Sequence, residues 1–152
     1  MVLDLSVLAI IFFLIFADQA VKLLVVSSME LGESIPVLTG FFHITYIENP
    51  GAAFGLFANQ RLVFIVAAVL VIVAASAIYR RLVTEKGFAR WGVALLLGGA
   101  AGNLIDRVRL GRVIDFLDFR IWPVFNIADI GICIGVALLM YTLICDKEKE
   151  KE

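Results

Sequence analysis

Four long apolar runs set the pattern of this chain. Val2–Val26 is the first, broken near its far end by Asp18, Gln19 and Lys22; Leu62–Tyr79 is uninterrupted, and Trp91–Leu110 and Val124–Cys145 follow. Each lies within the roughly 17–25 residues that a helix needs to cross a bilayer. The pattern predicts an all-α polytopic membrane protein, a single integral-membrane domain with four transmembrane helices over about 2–26, 62–79, 91–110 and 124–145. Between the first two runs, 27–59 turns to glycine, proline and serine with alternating β-branched and aromatic residues around His43 and Thr45. That texture predicts short strands outside the lipid, a small extracytoplasmic β segment. Asn49-Pro50-Gly51 is a turn signal, followed by the small apolar stretch Ala52-Ala53-Phe54-Gly55.

Charge orients these runs. Arg80, Arg81, Lys86 and Arg90 crowd the connection at 80–90, and loops rich in Lys and Arg stay in the cytoplasm. Four crossings then return both termini to that side and put 27–59 outside. The first run carries only Asp4 as an early side-chain charge and exceeds a signal-peptide core, so it is expected to be a retained helix. The Lys/Glu tail at 146–152 is expected to be solvated and frayed. Small residues from Gly92 to Gly102 fit the third run for close helix packing. Parity brings the end of span one, the end of span three and the start of span four to one depth, near the outer face.

Composition narrows the chemistry. The chain is 62% hydrophobic and 18% charged, far from the balance of a soluble domain. A net charge of −1 gives no basic face for nucleic acid. Cys133 and Cys145 stand about three helical turns apart, too far for a disulfide. His43 is the only histidine, no Cys/His cluster has ligand spacing, and no metal or other cofactor is expected. No serine or cysteine is expected beside that histidine, so a Ser/His or Cys/His nucleophile is not supported.

Ionisable residues concentrate from Gly98 to Asp129, and such groups in or beside spans are rare and functional. Asn103, Asp106 and Arg107 share a helical face; Asn126 and Asp129 have the spacing of a cap and its first-turn acid. Asp115 sits in an apolar Val-Ile-Asp-Phe context that a cap does not explain. Asp18 and Lys22, four apart, read equally as an interfacial pair or as a brace for a polar site. Two carboxylates in a partly desolvated site share one proton, which is what activating water against an amide requires. Asp129, near a helix amino end, is expected to be the charged member and Asp115 the neutral one. The residues alone leave open two other classes: an ion-coupled transporter with Asp115, Asp129 and Arg107 as its relay, and a lipid-binding subunit holding headgroups with Arg107 and Arg112.

Five blocks carry a resemblance. Ala17-Asp18-Gln19 with Lys22, Asn49-Pro50-Gly51-Ala52-Ala53-Phe54, the stretch Gly98–Arg107, Gly111–Phe116 and Phe125-Asn126-Ile127-Ala128-Asp129 resemble, in order, the motifs of bacterial lipoprotein signal peptidase, also called signal peptidase II. The resemblance implies an intramembrane aspartic endopeptidase that removes signal peptides from diacylglyceryl-modified prolipoproteins, cutting before the lipidated cysteine. It implies Asp115 and Asp129 as the catalytic pair, with Asp18, Lys22, Asn49, Gly99, Asn103, Asp106, Arg107 and Asn126 supporting the dyad or meeting substrate. It further implies prolipoprotein and membrane lipids as partners, globomycin as inhibitor, a monomer, and the bacterial cytoplasmic membrane with the site near its outer face. Ile130 departs from the small hydroxyl residue that many members carry after the second aspartate.

Overall fold

The computed structural model describes residues 4–51, 60–82 and 87–149. Ala52-Ala53-Phe54-Gly55, Glu85, Lys86 and the last residues of the Lys/Glu tail lie outside the described residues. The chain runs α1 (Leu5–Ser28), β1 (Ser34–Leu38), β2 (Phe42–Asn49), α2 (Arg61–Leu82), α3 (Phe88–Arg109), β3 (Val113–Asp118) and α4 (Ile127–Lys149). Each expected apolar run forms a helix within a few residues of its predicted bounds. Among the described residues α1, α3 and the Ile127–Ile144 part of α4 are long and apolar enough to cross a membrane, while the apolar part of α2 is the shorter Arg61–Ala77. The structure is therefore that of a mostly helical integral membrane protein with a small sheet.

The helices bury little of their apolar surface against one another. Phe12, Phe13, Phe16 and Leu23 of α1 and Leu62 and Leu70 of α2 are all exposed, the arrangement expected where lipid is the solvent and helices associate by close packing. The exception is α3, which packs against all three other helices. Its glycines make that possible. A Cβ at Gly99 would collide with the Ala128 carbonyl oxygen at the start of α4, and one at Gly102 would stand 2.9 Å from Asp18 Oδ2. Backbone contact at these points draws the polar ends of α1, α3 and α4 together.

At that end sits a three-stranded antiparallel sheet in the order β1-β2-β3. Strands β1 and β2 fall where alternation predicted them. Strand β3 was expected only as connecting chain. It pairs with β2 in a register that sets Ile47 opposite Asp115 and Asn49 opposite Val113. Because nearly every β3 side chain is buried, its sequence lacks the in-out alternation by which a half-exposed strand is recognised. Val25, Tyr46, Ile114 and Phe116 form the small core that ties the sheet to the end of α1.

Candidate active site

The lowest layer of the site is a buried cation. Lys22 is 2% exposed and its ammonium meets Asp18 Oδ2 at 2.8 Å, Asp106 Oδ2 at 2.7 Å and Asn103 Oδ1 at 3.1 Å. Those contacts use all three N–H donors of a lysine. The carboxylates are also satisfied elsewhere: Asp18 Oδ1 accepts the Ala128 N–H at 2.9 Å, and Asp106 Oδ2 accepts the Ile114 N–H at 3.2 Å. Gln19 stitches the pair by donating to Asp106 Oδ1 at 2.9 Å and to Asp18 Oδ2 and the Gly102 carbonyl at 3.2 Å. Of the two readings of Asp18 and Lys22, the geometry is that of the brace: Lys22 is directed inward and joins α1, α3, the start of β3 and the first turn of α4. Asp106 faces this brace, whereas its neighbour Arg107 turns to the other side.

Three asparagines carry the order upward, and their amide orientations follow from their partners. Lysine only donates, so Asn103 presents Oδ1 to Lys22 and must direct Nδ2 elsewhere; that Nδ2 donates to Asp129 Oδ1 at 2.7 Å. Asn126 Oδ1 accepts the Asp129 N–H at 2.9 Å, and its Nδ2 donates to Asp115 Oδ1 at 2.7 Å and Asn103 Oδ1 at 3.1 Å. Asn49 Oδ1 accepts the Gly51 N–H at 3.0 Å, closing the Asn-Pro-Gly turn, and its Nδ2 donates to Asp115 Oδ2 at 2.9 Å. The Asn126 N–H completes the set, donating to Asp129 Oδ2 at 3.2 Å. Asn126 and Asp129 thus form a reciprocal cap on α4. The cap is real, and it is part of the site.

Each oxygen of Asp115 and Asp129 accepts a hydrogen bond from an amide, and among the described residues no ion pair reaches either carboxylate. Burial pushes the Asp115 carboxyl up to about 7, the nearby Asp129 adds to the rise, and the hydrogen bonds from Asn49 and Asn126 oppose it. Asp115 thus titrates near neutrality, where an acid or base is most useful.

Both aspartates open onto a cavity of about 660 Å³, also lined by Asn49, Asn103, Arg107, Trp122, Phe125, Ile130 and Cys133. Most of this wall is apolar. Arg107 stands with its guanidinium carbon 5.1 Å from the Phe64 ring centroid and donates a long 3.4 Å bond to the Asn103 carbonyl. Arg61 was not anticipated: it donates to the Arg107 and Val108 carbonyls at 2.8 and 2.6 Å, fixing the carboxyl end of α3. Arg112 pairs with Glu48 at 2.9 Å and is not among the residues that line the cavity. Gly99 lies below the site as a packing contact rather than in its wall. Gln19 stood in a recognised motif, yet its role depends on contacts across helices that sequence spacing does not reveal.

One expectation is corrected. Pairing of β1 with β2 brings Ser34 Oγ to 3.1 Å from His43 Nδ1, so a serine does stand beside the histidine. The Ser34 hydroxyl also meets the Thr45 hydroxyl at 2.8 Å, and this exposed pair lies outside the cavity that holds the aspartates. Among the described residues, no group of three His, Cys, Asp or Glu side chains is placed to hold a metal. Cys133 is a free thiol; the Cys145 side chain is outside the described residues.

Comparison with known proteins decides the family. The model of the family described as Signal peptidase (SPase) II matches residues 10–145. The chain belongs to the signal peptidase II family. It is 51% identical over 127 residues to the lipoprotein signal peptidase of Moorella thermoacetica, covering 84% of this chain and 85% of that protein. With the lipoprotein signal peptidase of Halothermothrix orenii it shares 48% over 134 residues, covering 88% and 92%. The fold is similar to that of a bacterial membrane enzyme solved by the in meso method at 2.3 Å, with TM-score 0.88, 32% identity and coverage of 97% of this chain and 92% of that one. Signal peptidase II enzymes are aspartic peptidases. The transporter and headgroup-binding readings accordingly give way to a peptidase.

Proposed function

We propose that this chain removes signal peptides from diacylglyceryl-modified prolipoproteins, cutting before the lipidated cysteine, with Asp115 and Asp129 as its catalytic pair. The observation that carries the reading is the shared setting of the two aspartates, Asp115 buried and Asp129 half-buried: held by amides on every oxygen, without a direct cation among the described residues, and open to one largely apolar cavity. Carboxylates so held keep their geometry through a change of protonation. Asp129, in the first turn of α4, takes a proton from water as the oxygen attacks the scissile carbonyl. Asp115, protonated near neutral pH, donates its proton to the developing oxyanion; as the C–N bond then breaks, Asp129 passes the proton it took from water to the leaving amine and Asp115 recovers its own from the diol as the new carbonyl forms. Arg107, at the cavity wall, orients the substrate backbone with a planar fork that lysine lacks. The supporting roles of Asp18, Lys22, Asn49, Asn103, Asp106 and Asn126 are to hold the dyad in register, and that of Gly99 is to let α3 and α4 meet.

In this reading α2 is the fourth crossing, the protein lies in the cytoplasmic membrane with both termini inside, and the sheet and site face outward. Apolar faces on all four helices and the basic residues Arg80, Arg81, Lys86 and Arg90 at and around the α2–α3 connection support it. In a background lacking Cys133 and Cys145, a cysteine placed at Ser34 should react with an impermeant reagent added to intact cells and one at Glu85 should not. The reverse pattern would invert the topology. Partners are the lipid-modified precursors and membrane lipids; the enzyme acts as a monomer, needs no cofactor and is blocked by globomycin. The deciding assay incubates the detergent-purified protein with a lipidated precursor peptide. Cleavage before the modified cysteine, unaffected by chelator, is expected, and no product from folded protein would refute the assignment.

A further inference from the structure

The connection from β3 to α4 contains a strained residue with a local cause. Arg120 has φ 64°, the only positive φ at a non-glycine position among the described residues. The Ile121 N–H donates to the Phe119 carbonyl at 2.8 Å, closing a three-residue turn about Arg120 in a form that a residue with a Cβ rarely adopts. Asp118 imposes it. Asp118 Oδ1 accepts the Arg120 N–H at 2.8 Å, and Oδ2 accepts the Arg120 guanidinium at 2.8 Å together with the Thr45 hydroxyl at 2.7 Å. This carboxylate is 6% exposed. The Phe119 ring is held on the other side among Phe41, Phe42 and Phe125, at centroid distances of 5.6, 4.9 and 5.8 Å.

With both flanks fixed, the turn throws its tip outward: Ile121 is 88% exposed and Trp122 62%. Trp122 and the residues after it to Phe125 line the same cavity as Asp115 and Asp129. Strain held by a dedicated side chain beside a ligand cavity is a reason to look for a ligand role. We infer that Asp118 is a positioning residue: through Arg120 it sets the Trp122 tip as an apolar wall of the cavity, against which the lipid-modified part of the substrate packs. This inference rests on the peptidase reading above. Its effect falls on substrate affinity, because neither Asp118 nor Arg120 touches the dyad.

The test uses the full chain. Trp91→Phe leaves Trp122 as the sole tryptophan, since the sequence holds 2. In that background, with Asp115→Asn to prevent turnover, titration with a diacylglyceryl-modified peptide should shift Trp122 emission saturably, and the same peptide without lipid should not. In the active enzyme Asp118→Asn should raise KM about tenfold, the scale of a lost charge-assisted hydrogen bond, with little change in kcat. Arg120→Gly, which adopts the turn without strain, should keep KM near the parent value, whereas Arg120→Val should raise it. A silent Trp122, a parent-like KM in Asp118→Asn, or a fall in kcat alone would overturn the inference while leaving the peptidase intact. An active-site assay in which the parent never cleaves would instead remove the peptidase reading, and the emission titration would still score the wall.

Discussion

Two pairs of aspartates lie one layer apart, and the protein treats them in opposite ways. Asp18 and Asp106 close on the ammonium of Lys22 at 2.8 and 2.7 Å, so their charge is compensated by a direct cation. Among the described residues Asp115 and Asp129 receive only amide donors, from Asn49, Asn103, Asn126 and the Asn126 backbone. Amides fix a carboxylate in place without dictating its charge. The layers are joined by Asn103, whose Oδ1 is held by Lys22 and whose Nδ2 holds Asp129. The comparison separates two uses of a buried carboxylate: an ion pair makes a brace, and a neutral cradle makes a titratable group.

The largest effect should come from removing titration while keeping shape. Asp115→Asn and Asp129→Asn should each lower the cleavage rate by roughly a hundredfold to ten-thousandfold, the usual worth of a positioned acid or base. Folding should survive. Burial pushes the folded carboxyl of Asp115 up to about 7 from an ordinary 3.8, so as pH rises from the ordinary value toward 7 the unfolded chain loses this proton first and the stability it contributes is lost. Asp115→Asn at pH 8 should accordingly unfold no earlier than the parent. Substantial turnover by either variant would erase the distinction between the layers.

The brace should fail differently. Lys22→Met leaves Asp18 and Asp106 buried without their cation, a change of the kind that costs about 3–5 kcal/mol. Thermal unfolding in detergent should show it as a large loss of stability, with activity falling because Asn103 loses its anchor. Removing the charges together, in Asp18→Asn/Lys22→Met/Asp106→Asn, should recover much of that stability. If the single and triple variants are equally unstable, the brace works through shape rather than charge.

Arg107→Lys tests the third kind of charge in the site, one turned to the cavity instead of to a carboxylate. A lysine keeps the positive charge and loses the planar fork and its stacking on Phe64. We expect roughly tenfold lower kcat/KM, the scale of one lost charge-assisted hydrogen bond, at unchanged unfolding temperature. Parent-like cleavage would show that the guanidinium geometry is immaterial.

The brace and the cradle were legible in the sequence to different degrees. Helices stood out because each needs a long apolar run, and Asp18, Lys22, Asn103, Asp106, Arg107, Asn126 and Asp129 stood out as polar residues within or beside those runs. Which of them touch was not legible. Asp106 was read with Arg107 on one face, yet it turns to α1, because hydrogen bonding between helices is set by packing at Gly99 and Gly102 rather than by spacing along α3. Asp115 was conspicuous only as a carboxylate in an apolar context; the strand that carries it is buried along most of its length and pairs with residues some seventy positions earlier. Ser34 meets His43 through the separate, local pairing of β1 with β2. Arg61 and Asp118 act through carbonyls, backbone N–H groups and a turn conformation, which leave no residue pattern to read.

The smallest and sharpest effect concerns the cradle itself. If Asp115 must be protonated to donate to the oxyanion, activity should fall as pH rises through about 7, where burial has moved its carboxyl. The Asn49 amide donates to Asp115 Oδ2 and favours the charged form, so it holds that value below where burial alone would leave it. Asn49→Ala removes the donor. The charged form then loses the worth of one hydrogen bond, about 1 kcal/mol, and the alkaline limb of kcat should move up by about half to one pH unit. An acid Asp115 in an ion-paired setting would respond in the same direction but also lose stability with its partner, whereas here the unfolding temperature should hold. A limb that stays in place, or moves toward acid, would mean that the group titrating near 7 is not Asp115 and that the amide cradle does not set its charge.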